Sequence, residues 1–133
     1  MKYYFETITR NYFYFDGRAR RREFWWFVLF YILILLILSF ADRYFGWMIT
    51  VENSQGETVL YFWKSSFIYV IATAIPRFAI TARRLHDFGK SGWLQLIIFI
   101  PCIGWMILVI LCAQDSQRWD NQYGPNPKRR HRY

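Results

Sequence analysis

Three short strings carry the residue types that could do chemistry. Arg83-Arg84-Leu85-His86-Asp87 places two guanidiniums, an imidazole and a carboxylate within five positions. An imidazole titrates near neutrality and a carboxylate can orient it, so acid–base chemistry is the first possibility to test. On a helix, adjacent side chains point about 100° apart, and His86 and Asp87 therefore form no dyad with each other. Asp87 can instead meet Arg83 or Arg84 at four- or three-residue spacing. Two readings stand side by side. One is a polar site with a titratable His at the inner membrane surface. The other is a cap-and-turn device, with a helix ending near Phe88, Gly89 as its left-handed terminator and a new helix from Ser91. The second string, Arg18-Ala19-Arg20-Arg21-Arg22-Glu23, precedes an apolar run. It fixes membrane orientation, and it can also attract anionic lipid headgroups at about 1 kcal/mol per basic residue. No recognition motif accompanies the charge, so no nucleic acid is expected as a partner.

Other chemistries fall away on spacing. Cys102 and Cys112 are the only cysteines. On one continuous helix they stand about 15 Å apart, beyond the roughly 7 Å reach of a disulfide. With no CxxC and two His, no metal site is expected. Gly89-Lys90-Ser91 looks like the end of a phosphate-binding loop, but Arg84 stands where that loop needs its first glycine. No catalytic residue and no cofactor is assigned. An enzyme acting on a lipid phosphate through His86 and Asp87 is the weakest functional reading.

The elements that must hold these strings are apolar. Phe24–Ala41 is eighteen residues without a charge. As a helix it measures about 27 Å, close to the hydrocarbon thickness of a bilayer. Trp93–Ala113 is a second uncharged run, of twenty-one residues. Val59–Ala82 is apolar but carries Lys64 and Arg77. Lys64 can extend to the interface from a helix end, so a span from about 61 to 80 is expected. Hydrophobic residues are 55% of the 133 and aromatics 23%, which excludes disorder. A chain this short cannot wrap such helices in a soluble shell. The expected fold is therefore all-α: a polytopic membrane helical bundle forming a single membrane domain over residues 1–133. No cleavable signal peptide is apparent, and the first span is expected to be retained as an anchor.

Residues 1–23 form the expected interfacial or cytoplasmic segment. Within it, Phe5, Ile8, Tyr12 and Phe15 follow helical spacing, predicting an amphipathic helix over 1–15 that lies in the interface. Val51–Thr58 reads as a short polar external loop. Trp47, Tyr61 and Trp63 mark the outer aromatic belt, and Trp25, Trp26 and Trp93 the inner one.

Lys and Arg number 17 against 9 acids, and their placement sets the topology. With the N-terminus cytoplasmic, loop 77–92 is cytoplasmic too. The run 93–113 then decides the side of the basic tail, 114–133. A plain crossing exports the tail's Arg118, Lys128, Arg129, Arg130 and Arg132. A re-entrant hairpin keeps them inside, leaving only Arg43 and Lys64 elsewhere, and this is the favoured reading. Pro101-Cys102-Ile103-Gly104 offers the turn, because Pro removes a backbone donor and Gly relaxes the chain. Gly89, Gly92, Pro101 and Gly104 are the hinge candidates.

Three strings together are similar to a known family. Residues 15–25 (FDGRARRREFW), 83–93 (RRLHDFGKSGW) and 121–127 (NQYGPNP) resemble the bacterial inner-membrane family Domain of Unknown Function 805. Pro101 and Gly104 also match its pattern, whereas Arg20 stands where the family usually has a small residue. The resemblance implies a small multi-pass protein of the bacterial cytoplasmic membrane with no established activity. In the hairpin topology all three strings share the cytoplasmic side. There Asp16, Arg18, Arg22, Glu23, Arg83, Arg84, His86, Asp87 and Asn121 could converge as lipid- or partner-binding residues. The leading expectation is a non-enzymatic module that binds anionic lipid headgroups or a protein partner. The alternative is a small transporter or channel component, because interrupted helices often line substrate paths. One copy has too few spans for a pathway, so that alternative requires a homo-oligomer.

Overall fold

A computed structural model describes residues 2–56 and 58–127, with the side chains of Lys2 and of residues 58–62 outside the description. The basic end 128–133 and the ring of Tyr61 therefore lie outside the described residues. The chain is mostly helical: α1 (Lys2–Thr9), α2 (Arg21–Phe45), α3 (Lys64–Ala72), α4 (Ala74–Asp87) and α5 (Ile103–Ala113). A 3₁₀ helix, Gly92–Phe99, precedes α5, and two strands, β1 (Met48–Glu52) and β2 (Thr58–Trp63), follow α2.

The first apolar run forms the longest helix. At 25 residues α2 is about 37 Å long, enough to cross a bilayer. Its middle is apolar all round, and Leu36, Ile37 and Phe40 are 61%, 66% and 74% exposed. Water would penalise such a surface, whereas lipid does not. α2 is long and apolar enough to span a membrane, and α3 with α4, bent by 44° at their junction, pass the same test of length and composition together.

The chain divides into two compact units, Leu29–Ala74 and the remainder. In the first, the expected polar loop is the turn of a β-hairpin, so the fold is not purely α-helical. β1 and β2 pair antiparallel from Met48↔Trp63 to Glu52↔Thr58, with a bulge between Val51 and Glu52. Asn53 closes the turn, accepting from Gly56 N through its carbonyl and from Gln55 N through Oδ1. The expected span beginning near residue 61 is corrected accordingly: residues 61–63 are strand, and the helix starts at Lys64. Trp63 occupies the N-cap of α3 but has no side chain that can cap it. Asp42 of α2 does that work instead. Its Oδ1 accepts from Ser65 N and Oγ at 3.1 and 2.6 Å, and its Oδ2 from Ser66 N and Oγ, both at 2.9 Å. These are donors that the first turn of a helix cannot satisfy internally. α3 stops after Ala72, because the ring of Pro76 cannot coexist with a helical carbonyl four residues earlier. A new helix, α4, begins at Ala74.

The other unit holds α1, the start of α2, α4, the 3₁₀ helix, α5 and the tail. Its core is built from Tyr4, Ala19, Phe24, Phe27, Ala79, Ile80, Ala82, Leu85, Phe88 and Cys112. α1 ends at Thr9, so the expected helix over 1–15 is shortened, and Tyr12 and Phe15 lie beyond it. Its packed face also differs from the expected stripe. Tyr4 and Thr7 are buried and Phe5 is exposed, because Tyr4 stacks on Phe27 with centroids 5.5 Å apart.

The run 93–113 is broken where Pro101 and Gly104 suggest. The 3₁₀ helix and α5, 8 and 11 residues long, each measure about 16 Å, half of what a crossing needs. The turn between them puts Cys102 at φ 62°, and Ile103 N and Gly104 N return to the carbonyls of Pro101 and Ile100. Gly104 is obligatory by contact: a Cβ there would stand 1.8 Å from the Ile97 carbonyl oxygen. Both feet of this hairpin rest on the same end of α4. Gly92 packs on Ala82, while the Cys112 carbonyl accepts from Arg84 and Gln117 N donates to the Asp87 carbonyl.

Candidate functional site

The polar side chains at the end of α4 divide into a staple and a cleft. Gly89, at φ 79°, ends α4, with Lys90 N donating to the Leu85 carbonyl and Gly89 N to that of His86. Ser91 then caps the 3₁₀ helix by accepting from Trp93 N at 3.4 Å. This turn fixes where the last residues of α4 point.

Asp87 is the centre of the staple. Its side chain is fully buried between two arginines, with Arg18 Nε on Oδ1 at 2.9 Å and Arg84 Nη1 on Oδ2. The remaining guanidinium donors go to backbone carbonyls. Arg18 Nη1 donates to Trp119 and Gly124, and Nη2 to Asp87 and Gln117. Arg84 Nε donates to Cys112 at 2.9 Å, Nη1 to Ala19 at 3.3 Å and Nη2 to Gln114. Buried charges are tolerable when paired and hydrogen-bonded, and these are both. Arg18, Arg84 and Asp87 thereby tie the loop before α2, the end of α4, the end of α5 and the tail to one point.

Asn121 extends the staple. Its Nδ2 donates to the His86 carbonyl at 2.9 Å and to Gln117 Oε1 at 3.0 Å, and its Oδ1 accepts from Tyr123 N. The turn so held lays the Tyr123 ring on the His86 imidazole, 3.8 Å between centroids and 3° from parallel. His86 Nδ1 lies 3.3 Å from the Gly17 carbonyl oxygen. Burial pushes its pKa down, against the raising effects of that carbonyl and of Asp16. His86 and Asp87 are not hydrogen-bonded to each other, in keeping with their 100° divergence.

Arg83 behaves differently. It is 7% exposed, yet its Nε has no hydrogen-bond partner among the described residues. Its guanidinium carbon lies 6.0 Å from the Tyr14 ring centroid, the outer limit of a cation–π contact. It lines a polar cleft of about 520 Å³ together with Asp16, Glu23, Arg20 and Tyr123. Arg20 is engaged there with the Pro127 carbonyl. Of the remaining sequence candidates, Arg22 is exposed on the first turn of α2 and does not line this cleft. Gly92 serves close packing rather than a hinge. Tyr14, Arg20 and Tyr123 line the cleft and were not singled out by spacing. For Tyr123 the signal was present, since it stands inside the string 121–127.

A lipid-exposed apolar helix and a folded polar cluster at the foot of a broken apolar hairpin define an integral membrane protein. The chain belongs to the family described as Protein of unknown function (DUF805), whose model matches residues 12–125. It is 37% identical over 121 residues to Inner membrane protein YhaH of Escherichia coli (strain K12), covering 91% of this chain and 93% of that one. It is also 32% identical over 122 residues to Inner membrane protein YhaI of the same strain, covering 92% of each. No solved structure matches the chain.

Proposed function

We propose that this is an inner-membrane lipid-binding protein whose polar cleft holds the phosphate of an anionic lipid headgroup at Arg83. The buried, unpaired Nε of Arg83 carries the reading. A buried guanidinium N–H without an acceptor is costly even with the Glu23 carboxylate and the Tyr14 ring nearby, and a phosphate oxygen repairs the deficit with a charge-assisted bond. With Arg18 spent on Asp87, Arg20 and Arg83 line the cleft beside Asp16 and Glu23, so it offers both donors and acceptors to a polar headgroup. The two carboxylates in turn suit headgroup hydroxyls as donors. Arg18, Arg84, Asp87 and Asn121 act as the frame of this site rather than as ligands.

In this reading the hairpin of the 3₁₀ helix and α5 enters the bilayer and returns to the same face. The N-terminus, the end of α4 and the tail are then cytoplasmic, which places the cleft at headgroup depth. Irregular backbone at membrane depth is tolerable where its polar groups are met, as Ile103 N and Gly104 N are by the carbonyls of Pro101 and Ile100.

The test is lipid retention in phosphatidylcholine nanodiscs doped with phosphatidylglycerol, with sn-glycerol 3-phosphate as a soluble competitor. Wild type should retain phosphatidylglycerol over phosphatidylcholine. Arg83→Gln should lower that preference roughly tenfold to a hundredfold, the worth of a charged hydrogen bond. Release by glycerol phosphate alone would point to a soluble phosphate ester and overturn the lipid assignment. Equal retention of both lipids by wild type would overturn the reading altogether.

A further inference from the structure

Tyr123 lines a second cavity, and His86, stacked upon it, lines that one and not the first. This groove, about 590 Å³, is apolar, with walls from Phe15, Phe78, Trp93 and Leu96. Its narrow side is where Gly92 approaches Ala82: a Cβ on Gly92 would come within 2.9 Å of the Ala82 Cβ. Trp93 is 79% exposed and Leu96 45%, so the rim of the groove continues the apolar outer surface of the hairpin. His86, Ser91, Gln95 and Tyr123 interrupt it with polar groups. Gln95 Oε1 is buried and has no hydrogen-bond partner among the described residues. A buried acceptor without a donor is expensive, and an entirely aliphatic occupant would leave it so.

Resting on the headgroup assignment above, we propose that the ligand is a monoacyl glycerophospholipid. Its phosphate sits at Arg83, its single chain lies in the groove beyond the His86–Tyr123 stack, and its free glycerol hydroxyl donates to Gln95 Oε1. A diacyl lipid carries an ester where that hydroxyl would be, and an ester has no hydrogen to donate. The site volume, a few hundred cubic ångströms on each side of the stack, is of the size that single ligands fill.

The experiment offers the full chain, in phosphatidylcholine nanodiscs, equal amounts of monoacyl and diacyl phosphatidic acid, which differ in the one alcohol hydroxyl, and counts the retained species by native mass spectrometry. Wild type should prefer the monoacyl form about tenfold, the value of one satisfied buried acceptor. Gln95→Leu should erase that preference while both forms are still retained over phosphatidylcholine. Leu96→Trp, which fills the groove, should reduce retention of the monoacyl form in particular. Equal retention of monoacyl and diacyl forms by wild type overturns the inference and leaves the headgroup reading standing. Absence of any preference over phosphatidylcholine overturns both. Should Leu96→Trp fail to insert, Gln95→Leu decides alone, since it removes a polar atom from an apolar wall without adding bulk.

Discussion

Adjacent arginines at 83 and 84 do opposite things, and the difference is in what surrounds them. Arg84 is fully buried with each of its three guanidinium nitrogens bonded to Asp87 or a carbonyl, so its value is structural. Arg83 is nearly as buried but carries an unmet donor toward a cleft. Removing Asp87 leaves two guanidiniums buried without their counter-charge, a loss of roughly 3–5 kcal/mol where buried pairs are broken on one side. Asp87→Asn should therefore lower the thermal unfolding temperature in detergent and release the tail to proteolysis. Arg84→Lys should do much the same, because an ammonium has three donors from one nitrogen and cannot meet four partners spread around a planar fork. Arg83→Gln should leave the unfolding temperature close to wild type while lipid retention falls. An unchanged melting profile for Asp87→Asn would show that the staple is not what holds the tail. Sequence spacing identified these residues as a cluster, and the i, i+3 link of Arg84 to Asp87 was legible in it. Which arginine is spent and which is free was not, since that depends on carbonyls from residues 19, 112 and 114, far away in the chain.

At the scale of elements, helices were readable where length and composition spoke together and misread where they did not. The uncharged run 24–41 became α2 with only its ends extended. The apolar stretch from residue 59 looked like the start of a span because apolar runs do not distinguish a strand from a helix. The strand signal was nevertheless there: a Gly-bearing polar turn between β-branched and aromatic flanks. Proline breaks an apolar run at both Pro76 and Pro101, and the sequence reading used only the second, running the expected span 61–80 through the first. The hairpin below Pro101 depends on glycine at 104, where backbone meets backbone. Gly104→Val should force the 3₁₀ helix and α5 apart and expose Cys102 and Cys112 to a membrane-permeant maleimide together. In wild type Cys112, fully buried beside Arg84, should react far more slowly than the exposed Cys102. Equal labelling of the two cysteines in wild type would contradict the packing of α5 on α4.

For the whole molecule, the topology proposed above, with both ends cytoplasmic, draws on charge and on contact separately. Basic residues are sparse between residues 42 and 64 and dense in the first 23 residues, the 77–92 stretch and the tail. Positive charge holds short segments on the cytoplasmic side, which a returning hairpin satisfies for all three. The staple makes the same demand through hydrogen bonds, since Arg18, Asp87, Gln117 and Asn121 must meet and cannot do so across a bilayer. Paired reporter fusions, one active only in the cytoplasm and one only in the periplasm, test this at the N-terminus and after Tyr133. Both ends should report from the cytoplasm. If the C-terminal fusion reports from the periplasm with the N-terminus inside, the hairpin has opened into a third crossing. The staple would then have to be broken in the membrane, and the cleft would lose Tyr123 and with it the wall between headgroup and chain. Asp87→Asn gives the test a second arm. A tail held inside only by its charges should stay there in that variant, whereas a tail held by the staple should report from both sides.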